Sequence, residues 1–246
     1  MKRFSFIVYL AIGCIVLSVT LYFVHYLIFH DLHHIFLYLV GDLAFLPLEV
    51  LLVVLIIERV LAQREKKIKL QKMNMVAGAF FSEAGNYLLR NLLEDFDNRA
   101  DISQRLNVKE NWGKKEFREA VVYADHLKID IDYRNMNLVK LKVFLAQKRD
   151  FMMTLLGNPS LLEHDRFTDL LWSITHLDEE LESRTSFVDL PEADLKHLAG
   201  DVQRLYDNLA SEWLDYVQHL QTNYRFLYSL ILRTHPFQQT PSAVIK

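Results

Sequence analysis

The chain has 246 residues and a formal net charge of −3, which excludes a nucleic-acid binder that relies on a basic face. Its single cysteine, Cys14, excludes an intrachain disulfide and a cluster of thiolate metal ligands. Seven glycines and five prolines are few for this length and favour long helices over turn-rich sheet.

Two apolar segments dominate the first 57 residues. Residues 4–29 contain no Lys, Arg, Asp or Glu, and residues 35–57 are interrupted only by Asp42 and Glu49. About 20 helical residues cross the hydrocarbon core of a bilayer, so both segments are long enough. A cleaved signal peptide does not explain the first segment, because its apolar stretch is too long and no small-x-small cleavage site follows it. The sequence therefore predicts a transmembrane helical hairpin over residues 1–57.

Basic residues give the expected orientation of this hairpin. Lys2 and Arg3 precede the first span, the loop at 30–34 has no Lys or Arg, and residues 58–72 are rich in both. Because loops rich in Lys and Arg stay in the cytosol, we expect both termini on the cytosolic side of the cytoplasmic membrane. The lipid bilayer is then an expected partner of the chain.

Polar side chains inside the predicted spans form two stripes. Asp42 and Glu49 lie two helical turns apart on one face of the second span, ~10 Å apart along its axis. A hairpin that turns near residue 32 places Tyr22 opposite Asp42, with His25 within one turn of it. The same pairing places Glu49 opposite Ile15, between Cys14 and Ser18. Two interpretations fit: neutral carboxyl groups that hydrogen-bond within the hairpin or between copies, or a functional site, which is either a path for protons or cations or a site for a basic residue of another membrane protein. The stripe on the first span consists of Cys14, Ser18, Tyr22 and His25.

Three histidines occupy the short loop between the spans. His30, His33 and His34, together with Asp31, have side chains that could bind zinc or copper. An interfacial loop that simply stays polar explains the same residues. We favour that second interpretation, and the sequence predicts no metal or other cofactor for the chain.

The second span is expected to continue into a juxtamembrane helix over residues 58–96. Apolar residues recur every seven positions, which indicates a coiled-coil seam, although Arg64 and Gln71 occupy the intermediate seam positions. The residues between 74 and 85 then combine small and bulky side chains, which favours close helix packing over a ligand site. The heptad residues are Val54, Leu61, Ile68 and Met75, and the packing or partner face comprises Gly78, Phe80, Phe81, Ser82 and Gly85.

The rest of the chain is predicted to be a cytosolic helical bundle over residues 97–234, followed by a disordered tail over 235–246. Helical periodicity recurs throughout this region, and a short extended piece fits residues 129–133. Ser160 and Glu163 form a capping box that predicts a helix start. The fold class is therefore all-α: a transmembrane hairpin, a long juxtamembrane helix and a bundle.

Enzyme motifs do not emerge from this bundle. Phosphate-binding loops, nucleophile elbows and dinucleotide fingerprints are missing from the sequence. A di-metal carboxylate site needs two Glu-x-x-His pairs. Here Asp194 precedes His197 by three residues and His176 precedes Glu180 by four, but a second Glu-x-x-His is missing. An enzyme is therefore not favoured.

Several stretches together resemble a family of uncharacterised prokaryotic membrane proteins that have two spans and a helical cytosolic domain. The stretches are the hairpin, residues 74–85, residues 158–172, Glu-Trp-Leu-Asp-Tyr from Glu212, and Arg-Thr-His-Pro-Phe from Arg233. The resemblance covers most of the chain. It implies the two-span layout and carries over no functional residues.

Two functions are consistent with these features. The preferred one is a membrane-anchored helical interaction or regulatory module that binds a protein partner or forms a homo-oligomer. The alternative is a small subunit of an ion- or proton-coupled membrane complex in which Asp42 and Glu49 do the chemistry.

Overall fold

The computed structural model describes residues 2–134, 136–159, 161 and 164–244. All regular secondary structure in these residues is helical, which confirms the all-α prediction. The helices are α1 (Lys2–Phe29), α2 (Leu32–Phe80), a π-helical turn (Phe81–Gly85), α3 (Asn86–Glu94), α4 (Arg99–Leu106), α5 (Lys114–Ala124), α6 (Leu138–Leu156), α7 (Asp165–Glu182), α8 (Glu192–Asn223) and α9 (Arg225–Thr234). The chain divides into two compact units, Met1–Lys66 and Lys67–Lys246.

The first unit is a helical hairpin made of α1 and the beginning of α2. Helix α1 ends where His30 takes a left-handed backbone conformation with φ of 51°. The carboxylate of Asp31 then accepts a hydrogen bond from the backbone N–H of His34 at 3.2 Å, which caps the start of α2. Pro47 lies inside α2 without ending it.

The second unit is organised around α8, which contacts α3, α5, α7 and α9, while α6 packs on the outer side of α7. Helix α8 buries one continuous apolar face, including the largest core side chains, Tyr206 and Trp213. The indole N–H of Trp213 donates to the side-chain oxygen of Asn86 at 3.2 Å, so this polar group is satisfied inside the core.

The bundle begins earlier in the chain than the sequence predicts. We expected a juxtamembrane helix to residue 96 and a bundle from 97, but the compact unit starts at Lys67 and residues 77–96 supply core side chains. The π-helical turn directly follows Phe80, and both Phe80 and Phe81 are fully buried. The sequence missed this boundary because the polar break after Phe96 is a loop inside the domain, where a short antiparallel bridge joins Phe96 to Ile131.

The predicted disordered tail is also wrong at its start. His235 and Phe237 are buried, and the Phe237 ring lies edge-on to Trp213 with ring centroids 5.1 Å apart. Pro236 ends the helical path after Thr234, but the aromatic residue that follows it supplies core area. The predicted capping box at Ser160 and Glu163 lies outside the described residues, and α7 begins at Asp165.

Candidate functional site

A groove runs between α1 and α2 in the hairpin, with a volume of about 680 Å³. It brings together the stripe predicted on the first span and Asp42 of the second. Its polar and aromatic lining consists of Cys14, Ser18, Tyr22, His25, His34, Tyr38 and Asp42. The pairing inferred from a turn near residue 32 placed Tyr22 and His25 near Asp42, and all three line the groove, whereas Glu49, which the same pairing placed between Cys14 and Ser18, does not line it.

Aromatic rings occupy the loop end of this groove. The imidazoles of His25 and His34 lie nearly parallel, with centroids 6.1 Å apart and an angle of 10° between their planes. The His34 ring also meets Tyr38 edge-on at 4.7 Å. The Nδ1 atom of His25 is shielded from solvent and has no hydrogen-bond partner among the described residues. The groove can therefore offer an imidazole, a phenol and a carboxyl group to one small polar species.

The loop histidines do not converge as metal ligands. Within the described residues, the His, Cys, Asp and Glu side chains form one group whose donor atoms approach closely enough for a metal, and it lies in the bundle. His30 instead holds the turn, and His34 faces the groove, while Asp31 serves as the α2 cap.

The predicted packing face on residues 78–85 is divided in the structure. Phe80, Phe81 and Gly85 are buried, and a Cβ on Gly78 would lie 3.2 Å from the Tyr216 hydroxyl. Ser82 is exposed. The small residues therefore allow a close approach of aromatic side chains within the bundle, and Ser82 stands outside that contact.

A cluster of carboxylates surrounds Arg166 where α7 meets α8 and the end of α5. Its guanidinium donates to Asp125 at 2.8 Å and to Asp215 at 3.0 Å, and it lies 3.5 Å from Glu212. Burial raises the pKa of Glu212 to about 7 despite the opposing effect of Arg166. Burial likewise raises the pKa of Asp207, one turn earlier on α8, to about 7. The cluster contains more carboxyl groups than cations, so ionisation of all its carboxyl groups at once is unfavourable.

A second polar cluster lies nearer the α7–α8 turn. His176 and Glu180 are four residues apart on α7, and His197 and Asp201 are four residues apart on α8. The antiparallel packing of the two helices brings all four side chains together. Sequence reasoning discounted this region because it looked for Glu-x-x-His pairs. The signal that it missed is the pair of four-residue spacings on consecutive helices.

Asp194, the other half of the predicted Asp-x-x-His pair, points elsewhere. Its carboxylate accepts hydrogen bonds from Arg184 at 2.6 and 2.9 Å. The same guanidinium donates to the Glu180 carboxylate at 2.7 Å, and these hydrogen bonds lower the pKa of both acids. Arg184 therefore fixes the position of Glu180 beside the histidines.

Comparison with known proteins divides the chain in nearly the same way as its packing. Residues 2–61 match the family model described as "MJ1433, N-terminal helical domain", and residues 69–233 match "Uncharacterized protein MJ1433, C-terminal helical domain". The chain belongs to this MJ1433 family. It is similar to the "Uncharacterized protein MJ1433" of Methanocaldococcus jannaschii, with 42% identity over 236 residues that cover 96% of this chain and 94% of that protein. No solved structure matches the chain.

The two family domains place the candidate sites in separate parts of the chain. The groove that contains Asp42 lies in the N-terminal helical domain, and both polar clusters of α7 and α8 lie in the C-terminal helical domain. The family names carry no activity, so the chemistry of these side chains is the basis for a functional proposal.

Proposed function

We propose that the protein is a membrane-anchored helical module that binds a protein partner or a second copy of itself. Helix α1 and the apolar part of α2 cross the cytoplasmic membrane of the prokaryotic cell, and the bundle lies in the cytosol with both chain ends. The observation that carries the proposal is exposure: both helices are long and apolar enough to span a bilayer, and their most apolar windows are wholly unburied in the single chain. An exposed apolar surface that extends over two long helices is unfavourable in water, and a bilayer would cover it.

Topology can be tested with single cysteines in a Cys14→Ser background. In this orientation, His33→Cys in the first turn of α2, next to the connection between the spans, reacts with a membrane-impermeant maleimide in intact cells. Val139→Cys, at an exposed site on α6, reacts only after the membrane is opened. Equal labelling of both variants in intact cells, or recovery of the chain in the soluble fraction, contradicts the proposal.

The partner-binding role is supported by the heptad residues on α2. All four apolar residues of the heptad repeat are exposed: Val54, Leu61, Ile68 and Met75, of which Met75 is 71% exposed. Residues that repeat every seven positions along one helix form a seam that another helix can cover.

Native mass spectrometry of the full chain, extracted from its own membrane in mild detergent, tests this role. We expect a reproducible homo-oligomer or complex for the natural sequence. The Leu61→Asn/Ile68→Asn variant should lose it, whereas the off-seam control Gln63→Ala/Lys66→Ala should keep it. A natural chain that is monomeric under the same conditions overturns the proposed interaction role.

The hairpin groove favours a second candidate, a small subunit of an ion- or proton-coupled membrane complex. Two spans cannot enclose a pore, so transport would require several copies or another subunit. In proteoliposomes with an entrapped pH-sensitive dye, Asp42→Asn should then slow proton flux, because the amide cannot exchange a proton. Glu49→Gln tests the carboxyl group outside the groove. A structural role predicts that both variants leave flux and oligomeric state unchanged.

A further inference from the structure

We propose that His176, Glu180, His197 and Asp201 bind one divalent transition-metal ion between α7 and α8, and that their chemistry fits Zn²⁺. All four side chains lie in the C-terminal helical domain, so the site does not depend on the proposed membrane anchor. It extends the proposed function by giving the bundle a metal-dependent element.

The distances between the donor atoms suit a small ion. One donor atom from each of His176, Glu180 and His197 lies within 4.8 Å of the others. The Oδ2 atom of Asp201 lies 3.6 Å from Nε2 of His176 and 3.4 Å from Nε2 of His197. Zinc bonds of ~2.0–2.1 Å in a tetrahedral site separate the ligand atoms by roughly 3.3 Å. Asp201 and the two imidazoles are therefore close to this spacing, and Glu180 lies within 4.8 Å of both imidazoles.

Asp201 provides an independent indication that a cation is held here. Its side chain is 3% exposed, and its Oδ2 atom has no hydrogen-bond partner among the described residues. The other oxygen, Oδ1, accepts a hydrogen bond from Arg204 at 3.2 Å. A buried carboxylate oxygen without a hydrogen bond is unfavourable. A metal ion between the two imidazoles would satisfy it directly.

The ligand set discriminates between metals. Two imidazoles and two carboxylates are typical zinc ligands, whereas Ca²⁺ and Mg²⁺ prefer oxygen ligands alone. Arg184 holds Glu180 and Arg204 holds Asp201, so the carboxylates are oriented by neighbours as metal ligands commonly are. The two histidine side chains are 45% and 51% exposed, which lets an ion enter from solvent.

Metal binding would join two consecutive helices. Each helix contributes a histidine and a carboxylate separated by four residues, so each pair lies on one helical face. An ion held by both pairs closes the α7–α8 hairpin near its turn. Because the ion binds the folded arrangement, its free concentration would set the stability of this hairpin.

The test uses the full chain without a histidine tag, purified in mild detergent and stripped with a chelator. Zn²⁺ affinity is measured by competition with a chromophoric chelator, and Co²⁺ is added as a visible spectroscopic probe. The site variant is His176→Gln/His197→Gln. Because both side chains are half-exposed, the substitution opens no core cavity, and Glu180→Gln serves as a second variant. The matched controls are His126→Gln in the bundle and His30→Gln/His34→Gln, here called the loop variant, at the connection between α1 and α2.

We expect one Zn²⁺ per chain, a Co²⁺ spectrum of low coordination number, and a Tm that rises with added Zn²⁺. The site variant should weaken Zn²⁺ binding by more than about 100-fold, beyond the usual effect of losing an outer-shell partner, and should lose the Tm response. The controls should keep both. The proposal is overturned if the natural chain binds Zn²⁺ no more tightly than the site variant, or if only the loop variant loses binding.

Discussion

The guanidinium of Arg166 lies 3.5 Å from the carboxylate of Glu212, a side chain that is 7% exposed. The same cation donates to Asp125 and Asp215, so one arginine contacts three carboxyl groups from two other parts of the chain. Removing the Arg166 side chain would leave these partly buried carboxylates without a cation. This relationship makes Arg166 a structural centre of the bundle.

We expect Arg166→Gln to destabilise the bundle by about 2 kcal/mol. This value lies between the ~0–1 kcal/mol of an exposed pair and the 3–5 kcal/mol lost when a fully buried pair is broken. Urea unfolding of the full chain in mild detergent, followed by tryptophan fluorescence, measures the change. The control is Arg105→Gln, which breaks the exposed pair with Asp101 and should have an effect below about 1 kcal/mol. Equal effects of the two variants would contradict the role of Arg166.

Glu212 should make the bundle less stable as the pH rises. Its folded pKa of about 7 lies above the ordinary value of 4.5, so the folded state binds a proton that the unfolded state has already released. Stability is therefore lost as the pH rises from about 4.5 to about 7 and is level above that.

Glu212→Gln should remove this loss of stability. Relative to the natural chain, its free energy of unfolding should be higher by on the order of 2 kcal/mol at pH 8 and nearly unchanged near pH 4. Urea unfolding of both chains across this pH range measures the difference. The control is Asp125→Asn, at a more exposed carboxylate of the same cluster. This substitution should change the slope of stability against pH less than Glu212→Gln does. A pH-independent difference between the natural chain and Glu212→Gln would show that Glu212 titrates normally.

His235 should act in the opposite direction. Burial lowers its pKa to about 4, so the unfolded state gains a proton near pH 6.5 while the folded state stays neutral. Stability is consequently lost as the pH falls from about 6.5 to about 4. His235→Phe keeps an aromatic ring beside Trp213 and removes the titration. Relative to the natural chain, the variant should become more stable as the pH falls through this window, and His126→Phe at an exposed site should not.

The hairpin could be predicted in detail because its signals are local. Apolar length predicts the two helices, and a turn near residue 32 predicts that Tyr22 lies near Asp42; both line the groove. Glu49 lies on the same predicted face as Asp42 but does not line the groove. A stripe of polar residues in the sequence shows which side chains share one face of a helix. It does not show how far along that face the neighbouring helix stays close.

The bundle clusters could not be predicted in this way, because they depend on the register between helices. His176 and Asp201 are 25 positions apart, and they meet only because α7 and α8 pack antiparallel with one particular offset. The same offset pairs Ser173 with Asn208 and Glu180 with His197. Side-chain packing in the core fixes this offset. Periodicity within each helix gives its buried face and leaves the offset undetermined.

Two glycines in helical backbone provide a direct test of the packing after α2. A Cβ on Gly85 would clash with Cδ1 of Phe81 and would lie 2.8 Å from Cε1 of Phe80. Both rings are fully buried and cannot move aside, so Gly85→Ala should destabilise the bundle by roughly 1–3 kcal/mol through overpacking. Gly200 lies in the interior of α8, and a Cβ there meets nothing within 4 Å.

Gly200→Ala should therefore stabilise the chain by about 0.5–1 kcal/mol, because alanine loses less backbone entropy than glycine in a helix. Urea unfolding of both variants should give opposite signs for the same chemical change. If Gly85→Ala is also stabilising, the rings of Phe80 and Phe81 do not pack against the backbone at Gly85. The close packing that the structure shows at this π-helical turn would then be wrong.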